Sequence, residues 1–285
     1  MRVVKMKGGL GNQMFQYAFY KSLKLKNEKV FFNLEHYRST KEHNGLEIEK
    51  IFNIKLKTDT KIEWLLKKNW LTNLIRSIMK KIKIMKIYSI PDIVYDEKIL
   101  KSPEKIVVYS GYWQSEKYFK EIENEIRKVF SFPELDGKNK EIEKKIVNEE
   151  SIAIHVRRGD YINHPTLGGL VTSEYYTKAM EYMERCIQNP KYYIFSDEIE
   201  WCKKELDLEG REVVFINHNK GEESYKDIQL MSLCKHNIIP NSSFSWWGAW
   251  LNRNPKKVVI APKRWFTKES GYRYADIVPE SWIKL

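Results

Sequence analysis

Residues 151–161, SIAIHVRRGDY, place two adjacent arginines before a glycine and an aspartate, directly after an apolar run. A strand of Ile152, Ala153, Ile154 and Val156 gains nothing from charge at its end, so Arg157 and Arg158 need another explanation. A guanidinium is planar, permanently charged and suited to forked contact with phosphate oxygens. Period-two alternation sends His155 and Arg157 to one face and Arg158 to the other, until Gly159 turns the chain. One arginine is then free to reach a ligand while the other is held by a carboxylate such as Asp160; a purely structural Arg–Asp pair is the plain alternative. A second polar cluster, NSSFSWW, follows Pro240. A strand ending at Asn241 and a helix opening near Ser243 let Ser242 or Ser243 cap the helix. The backbone amides over Ser242, Ser243, Phe244 and Ser245 are then left for an anion. A plain serine cap is the alternative there, and Trp246, Trp247 and Trp250 read as core.

These groups need elements to position them. From Ser151 onward, strands (151–157, 191–197, 211–218, 236–241 and 256–262) alternate with short amphipathic helices (173–187, 199–206, 222–234 and 243–251), the pattern of a parallel, doubly wound sheet. Before it, a strand at 2–6, the loop KGGLGNQ, a helix from about Asn12 to Lys26 and the strand KVFFNL form a β-α-β unit. The strand KIVVYSG follows later, with Trp113, Tyr118 and Phe119 beyond it as core aromatics. Residues 132–150 are polar, with Pro133 and Gly137 near their start, and the domain boundary is placed there: residues 1–140 and 151–285. The expected architecture is α/β, two Rossmann-like domains facing a central cleft, with ligands at the carboxyl ends of the strands.

A chain of 285 residues, 42 % of them apolar, is expected to form two compact domains. It shows no signal-peptide pattern and no run of membrane-spanning length, so a cytoplasmic location is expected. Cys186, Cys202 and Cys234 lie far apart without zinc spacing and read as buried, reduced thiols. The net charge of +12 is concentrated: between Lys55 and Lys86 ten Lys or Arg face only Asp59 and Glu63. Apolar residues there (Leu66, Trp70, Leu71, Leu74, Ile75, Ile78, Met79, Ile82, Met85) recur at helical spacing, predicting a basic amphipathic helix over 61–86. Its plain reading is a core stripe with a solvated cationic face of Lys67, Lys68, Arg76, Lys80 and Lys81. Peripheral docking onto an anionic membrane is the functional alternative, and nucleic-acid binding a third.

The stretches GGLGNQMFQYA (8–18), GYWQSEKYF (111–119), HVRRGDY (155–161), FSDE (195–198) and NSSFSWWGAWL (241–251) together resemble the family 11 α-1,2-fucosyltransferases, bacterial members especially. The resemblance runs from the first strand to about Lys263 and is weak around 35–105, where acceptor choice is expected to lie. It implies a GT-B-type twin-Rossmann fold, with GDP-β-L-fucose as donor and inversion at the fucose anomeric carbon. The implied acceptor is the 2-hydroxyl of a terminal galactoside, on an oligosaccharide or a lipid-linked glycan such as an O-antigen. The family's H-x-R-R-x-D motif falls on His155, Arg157, Arg158 and Asp160.

The residues fit that chemistry. A departing diphosphate needs fixed positive charge, which Arg157 and the 242–245 amides are placed to supply. No D-x-D triplet stands in the donor half, so the arginine is expected to replace a divalent ion, with no metal and no cofactor beyond the donor itself. Arg158, Asn241 and Asp197 join the expected donor-binding set, Asp197 accepting from guanine or ribose or else capping the helix at 199. The loop GGLGNQM fails the dinucleotide fingerprint at its third glycine, which speaks against a nucleotide-cofactor oxidoreductase. Gly9, Asn12 and Gln13 are instead expected to hold fucose or the acceptor. His155 and Asp160 are the catalytic candidates beside Arg157, with the general base unassigned. No nucleic-acid partner is expected of a transferase, whereas membrane contact through 61–86 would place it at the inner membrane.

Overall fold

The computed structural model describes residues 1–40, 43–89 and 93–285. The chain forms two compact units. The first comprises Met1–Ser131 and Arg273–Ile277, the second Phe132–Tyr272 and Val278–Leu285. The break therefore falls earlier than residues 140–151. Helix Gly137–Asn148 belongs to the second unit because its Asn139, Ile142 and Ile146 are buried there, and Lys226 reaches Asp136 at 3.0 Å. The return of residues 273–277 to the first unit is held by Asp276, whose carboxylate accepts the Tyr95 amide at 2.8 Å and Lys117 Nζ at 2.7 Å.

In the first unit, strands β1 (Arg2–Lys5), β2 (Val30–Asn33), β3 (Met85–Ser89) and β4 (Ile106–Ser110) form one parallel sheet in the order β2-β1-β4-β3. Helix Leu10–Lys26 covers it with Phe15, Phe19 and Leu23. Trp113 stacks on Phe19 with centroids 4.4 Å apart, while Tyr109 and Tyr118 meet Phe19 edge-on. Trp113, Tyr118 and Phe119 are core aromatics, as expected.

The segment 61–86 is not one helix. It divides into helices Thr60–Leu66 and Trp70–Lys81, and its end becomes β3, paired in parallel with β4. Each helix has its own start signal: Asp59 accepts from the Ile62 amide and Asn69 from the Thr72 amide, both as N-caps. In β3 the alternation has period two. Met85 and Ile87 pack on Val3 and Val108, while Lys86 lies over the Tyr88 ring on the other side.

The second unit holds a six-stranded parallel sheet of β5 (Ser151–Val156), β6 (Lys191–Ser196), β7 (Glu212–Ile216), β8 (His236–Ile238), β9 (Val259–Ala261) and β10 (Ile283–Lys284). Their order is β10-β9-β8-β5-β6-β7. From β5 the chain winds outward through β6 and β7, then returns to β8 on the other side of β5. The winding direction thus reverses between β5 and β8, and such a switch point opens a crevice at the carboxyl ends of the two strands. Ile152, Ile154 and Val156 pack with Met180 and Met183 of helix Ser173–Cys186. The opposite face of β5 turns toward helix Ser243–Leu251, where His155 and Phe244 lie 5.7 Å apart. Trp246, Trp247 and Trp250 of that helix are core residues. Cys202 and Cys234 are buried, but Cys186, at the last turn of its helix, is exposed.

Candidate functional site

The switch point of the second sheet brings three of the sequence motifs together. Arg157 follows β5, Asp197 follows β6, and Asn241 and Ser242 follow β8, the strands flanking β5. Arg157 donates through Nη2 to Asp160 at 2.8 Å and through Nη1 to Asp197 at 3.2 Å. Its guanidinium stands 5.7 Å from the centre of the Tyr161 ring. Arg158 points the other way, its Nε 3.1 Å from Glu198 and its guanidinium 4.0 Å above the Trp201 ring. The two arginines divide as the alternation requires, though Arg158 is packed and paired rather than available for a diphosphate. Asp197 does not cap the helix Ile199–Glu205, whose first turn follows Glu198 without a side-chain cap. Instead its Oδ1 accepts the Arg158 amide at 3.1 Å while its Oδ2 holds Arg157, so one carboxylate orients both arginines. Gly159 permits this: a Cβ there would lie 2.6 Å from Asp197 Oδ2.

The second cluster opens helix Ser243–Leu251. Ser242 occupies the N-cap with extended backbone but makes no side-chain cap. The first-turn amides of a helix have no intrahelical partner, and they carry the positive end of its dipole. An uncapped start beside Arg157's strand therefore leaves backbone N–H groups and a positive dipole end for which an anion is the complementary ligand. Asn241 serves differently from the expectation. Its Nδ2 donates to Leu167 O and Trp265 O, both at 3.1 Å, so both protons tie down loops around the site and none is left for a ligand.

His155 is buried, and its Nδ1 has no partner among the described residues. Burial, and then the neighbouring Arg157 charge, lower its pKa to about 3. At neutral pH it is an uncharged hydrogen-bonding group. Asp160 has its carboxylate on Arg157.

Sequence reasoning did not single out Tyr161, Glu198 or Trp201. Tyr161 has its pKa pushed up to about 12, mainly by burial, with Ser242 as a hydrogen-bonding partner acting the other way. Asp227, two residues into helix Tyr225–Leu233, was also missed, because an acid in a first turn reads as a routine complement to the helix dipole. It ends a chain of contacts in which Asn139 Oδ1 meets His218 Nε2 at 2.9 Å, Asn139 donates to Asn219 at 2.8 Å, and Asn219 donates to Asp227 at 2.7 Å. Burial raises the Asp227 pKa to about 7, against the pull of Asn219. Since the folded-state value exceeds that of the unfolded chain, Asp227 favours the fold while protonated, and this contribution is lost as pH rises toward 7. Asp227→Asn keeps the acceptor for Asn219 without the charge. It is expected to melt roughly 2–6 °C above the parent protein at about pH 8 and level with it at about pH 4. Equal melting at both would show that the carboxyl is not held protonated.

In the first unit, the loop after β1 is built by glutamines. Gln13 donates to Gly8 O (3.1 Å) and Gly45 O (2.8 Å) and accepts from the Glu47 and Ile48 amides (2.9 and 3.1 Å). Both donors and both acceptor sites of its amide are thus engaged internally, and its side chain is fully buried. It shapes the loop and does not reach a substrate. Gln16 joins Lys7 after β1 to Gly111 after β4. Asn12, partly buried, accepts Gln114 Nε2 at 2.7 Å, and Gly9 precedes the helix start with the His43 ring against it.

Among the described residues, no three His, Cys, Asp or Glu side chains converge as a metal-ligand set. The family model for glycosyl transferase family 11 matches residues 1–285. An alpha-1,2-colitosyltransferase from Escherichia coli is 34 % identical over 290 residues, covering 99 % of this chain and 98 % of that protein. An O-antigen biosynthesis glycosyltransferase from Escherichia coli is 38 % identical over 149 residues, 50 % of this chain and 48 % of that one. A galactoside 2-alpha-L-fucosyltransferase from Bos taurus is 31 % identical over 103 residues, 35 % and 28 % of the two chains.

Proposed function

Since the chain belongs to glycosyltransferase family 11, we propose that it moves L-fucose from GDP-β-L-fucose, with inversion, to the 2-hydroxyl of a terminal galactoside in glycan or O-antigen synthesis. The observation that carries the donor half of this reading is the placement of Arg157 and an uncapped helix start on the two strands of the switch point. In a single displacement, the acceptor oxygen bonds to the anomeric carbon as that carbon's bond to the diphosphate breaks. The acceptor's proton leaves to a base, and the diphosphate gains charge. Arg157 and the amides at Ser243, Phe244 and Ser245 meet that charge as it develops, where fixed donors lower the barrier most. Asp160, half-exposed, holds Arg157 through a pair worth no more than about 1 kcal/mol. A phosphate oxygen can displace it cheaply while Asp197 keeps the guanidinium aimed. His155 contributes a neutral hydrogen bond.

The E. coli relative named for colitosyl transfer supports a second reading, in which colitose replaces fucose on the same site. The two separate in a transfer assay with GDP-fucose and the corresponding colitosyl donor on one β-galactoside. Fucose attached at O2 is the expected product; preference for colitose would favour the second reading, and attachment at another hydroxyl would overturn both. In this reading Arg157 takes the place of a divalent ion. Saturating chelator is accordingly expected to leave the rate unchanged, and calorimetry without metal is expected to detect GDP but not UDP, CMP or NAD. Dependence on manganese or magnesium would refute the substitution of arginine for metal.

A further inference from the structure

Helix Trp70–Lys81 turns its apolar side outward. Trp70, Leu71, Leu74 and Ile78, with Ile82 at the C-cap, are 76, 42, 52, 51 and 57 % exposed, and Thr72 alone on this helix is buried. At about 100° per residue these five lie within one arc of about 120°. The inward strip is narrower: Ile75 and Met79 pack on the small core of Val3, Leu65, Leu66 and Met85. The sequence reading, with a core stripe and a solvated cationic face, is therefore inverted in part. Lys67 and Lys68 before the helix, and Lys80, Lys81 and Lys83 at its end, are all exposed. Arg76 is not among them, because its guanidinium binds Leu65 O, Lys67 O and Asn73. The helix carries no carboxylate, and Glu63 of the preceding helix is taken by the two-pronged grip of Arg38 at 2.9 and 3.0 Å.

We propose that this face lies in the headgroup layer of an anionic lipid bilayer, with the helix parallel to the surface. An apolar arc flanked at both ends by lysines, with a tryptophan at its edge, matches both layers of such a surface: acyl chains for the arc and lipid phosphates for the ammonium groups. No helix among the described residues is long and apolar enough to cross a membrane, so the contact is peripheral. The lysines before the helix and at its end reach the phosphates from either side of the apolar arc. The inference rests on this surface and is independent of which sugar the protein transfers.

The test is flotation of the full chain with vesicles of phosphatidylcholine alone or with added phosphatidylglycerol, at low and high salt. Binding to the anionic vesicles is expected, weakened by salt and roughly tenfold or more by Lys80→Glu with Lys81→Glu. The triple variant Trp70→Ser, Leu74→Ser, Ile78→Ser is expected to lose it, with the melting temperature and the transfer rate to a soluble disaccharide retained. Absence of binding to anionic vesicles at low salt would overturn the proposal. So would binding that survives the triple variant. If the same variant instead converts a dimer to a monomer by light scattering while vesicle binding is nil, the face belongs to a second copy of the chain and the lipid assignment is wrong.

Discussion

Arg157→Ala is expected to lower turnover by roughly 10²–10³, the scale of removing one fixed donor aimed at developing charge. The loss should fall on kcat more than on KM, because the charge Arg157 meets is larger when the diphosphate departs than in the bound donor. The fold should survive. Arg157 is a third exposed and pairs with two carboxylates that solvent also reaches, so its removal leaves no charge buried without a partner. Asp197 would still accept the Arg158 amide. Arg157→Lys should recover only part of the rate, since an ammonium cannot hold Asp197 and a phosphate oxygen in one plane. Arg158→Ala makes the contrast: it removes the stacking on Trp201 and the pair with Glu198, and is expected to cost about 1–2 kcal/mol of stability with a smaller loss of rate. Turnover by Arg157→Ala within about twofold of the parent, at an unchanged melting temperature, would remove Arg157 from the chemistry.

What the sequence revealed depended on whether a signal was local. The second sheet was legible because each strand, helix and turn there carries its own period and punctuation, and the polar residues past Val156, Ser196 and Ile238 fall at strand ends however the strands are ordered. The partners of those residues were not legible. That Asp197 orients both arginines follows from the register of β5 against β6, with Val156 opposite Ser196, which no spacing within either motif encodes. Gln13 misled for a related reason: a glutamine at a helix start offers the same groups to a substrate as to the backbone of residues 45–48, and only the folded loop shows which takes them. β3 was hidden because Ile82, Ile84, Met85 and Ile87 continue an apolar, lysine-rich run whose helical period had just ended. β10, two residues long, carries no period at all.

The helix at Ser243 allows the backbone half of the site to be tested separately from the arginine. Ser243→Pro is expected to weaken GDP binding by roughly 10–100-fold, the value of one hydrogen bond to a charged oxygen. Proline is tolerated at the first position of a helix, where its missing N–H has no intrahelical partner and its fixed φ already suits the turn. It also restricts the preceding residue to extended backbone. Ser242 has φ −125° and ψ 126°, so the restriction is met in advance. The substitution therefore deletes one amide proton at the helix start while the helix itself, held by Trp246, Trp247 and Trp250 in the core, keeps its stability. Ser243→Ala, which removes the hydroxyl and keeps the amide, should bind GDP almost as the parent does. If the proline variant melts normally and binds GDP with parental affinity, the first amide of this helix does not touch the phosphates. If the alanine variant loses as much affinity as the proline variant, the hydroxyl rather than the backbone is the ligand.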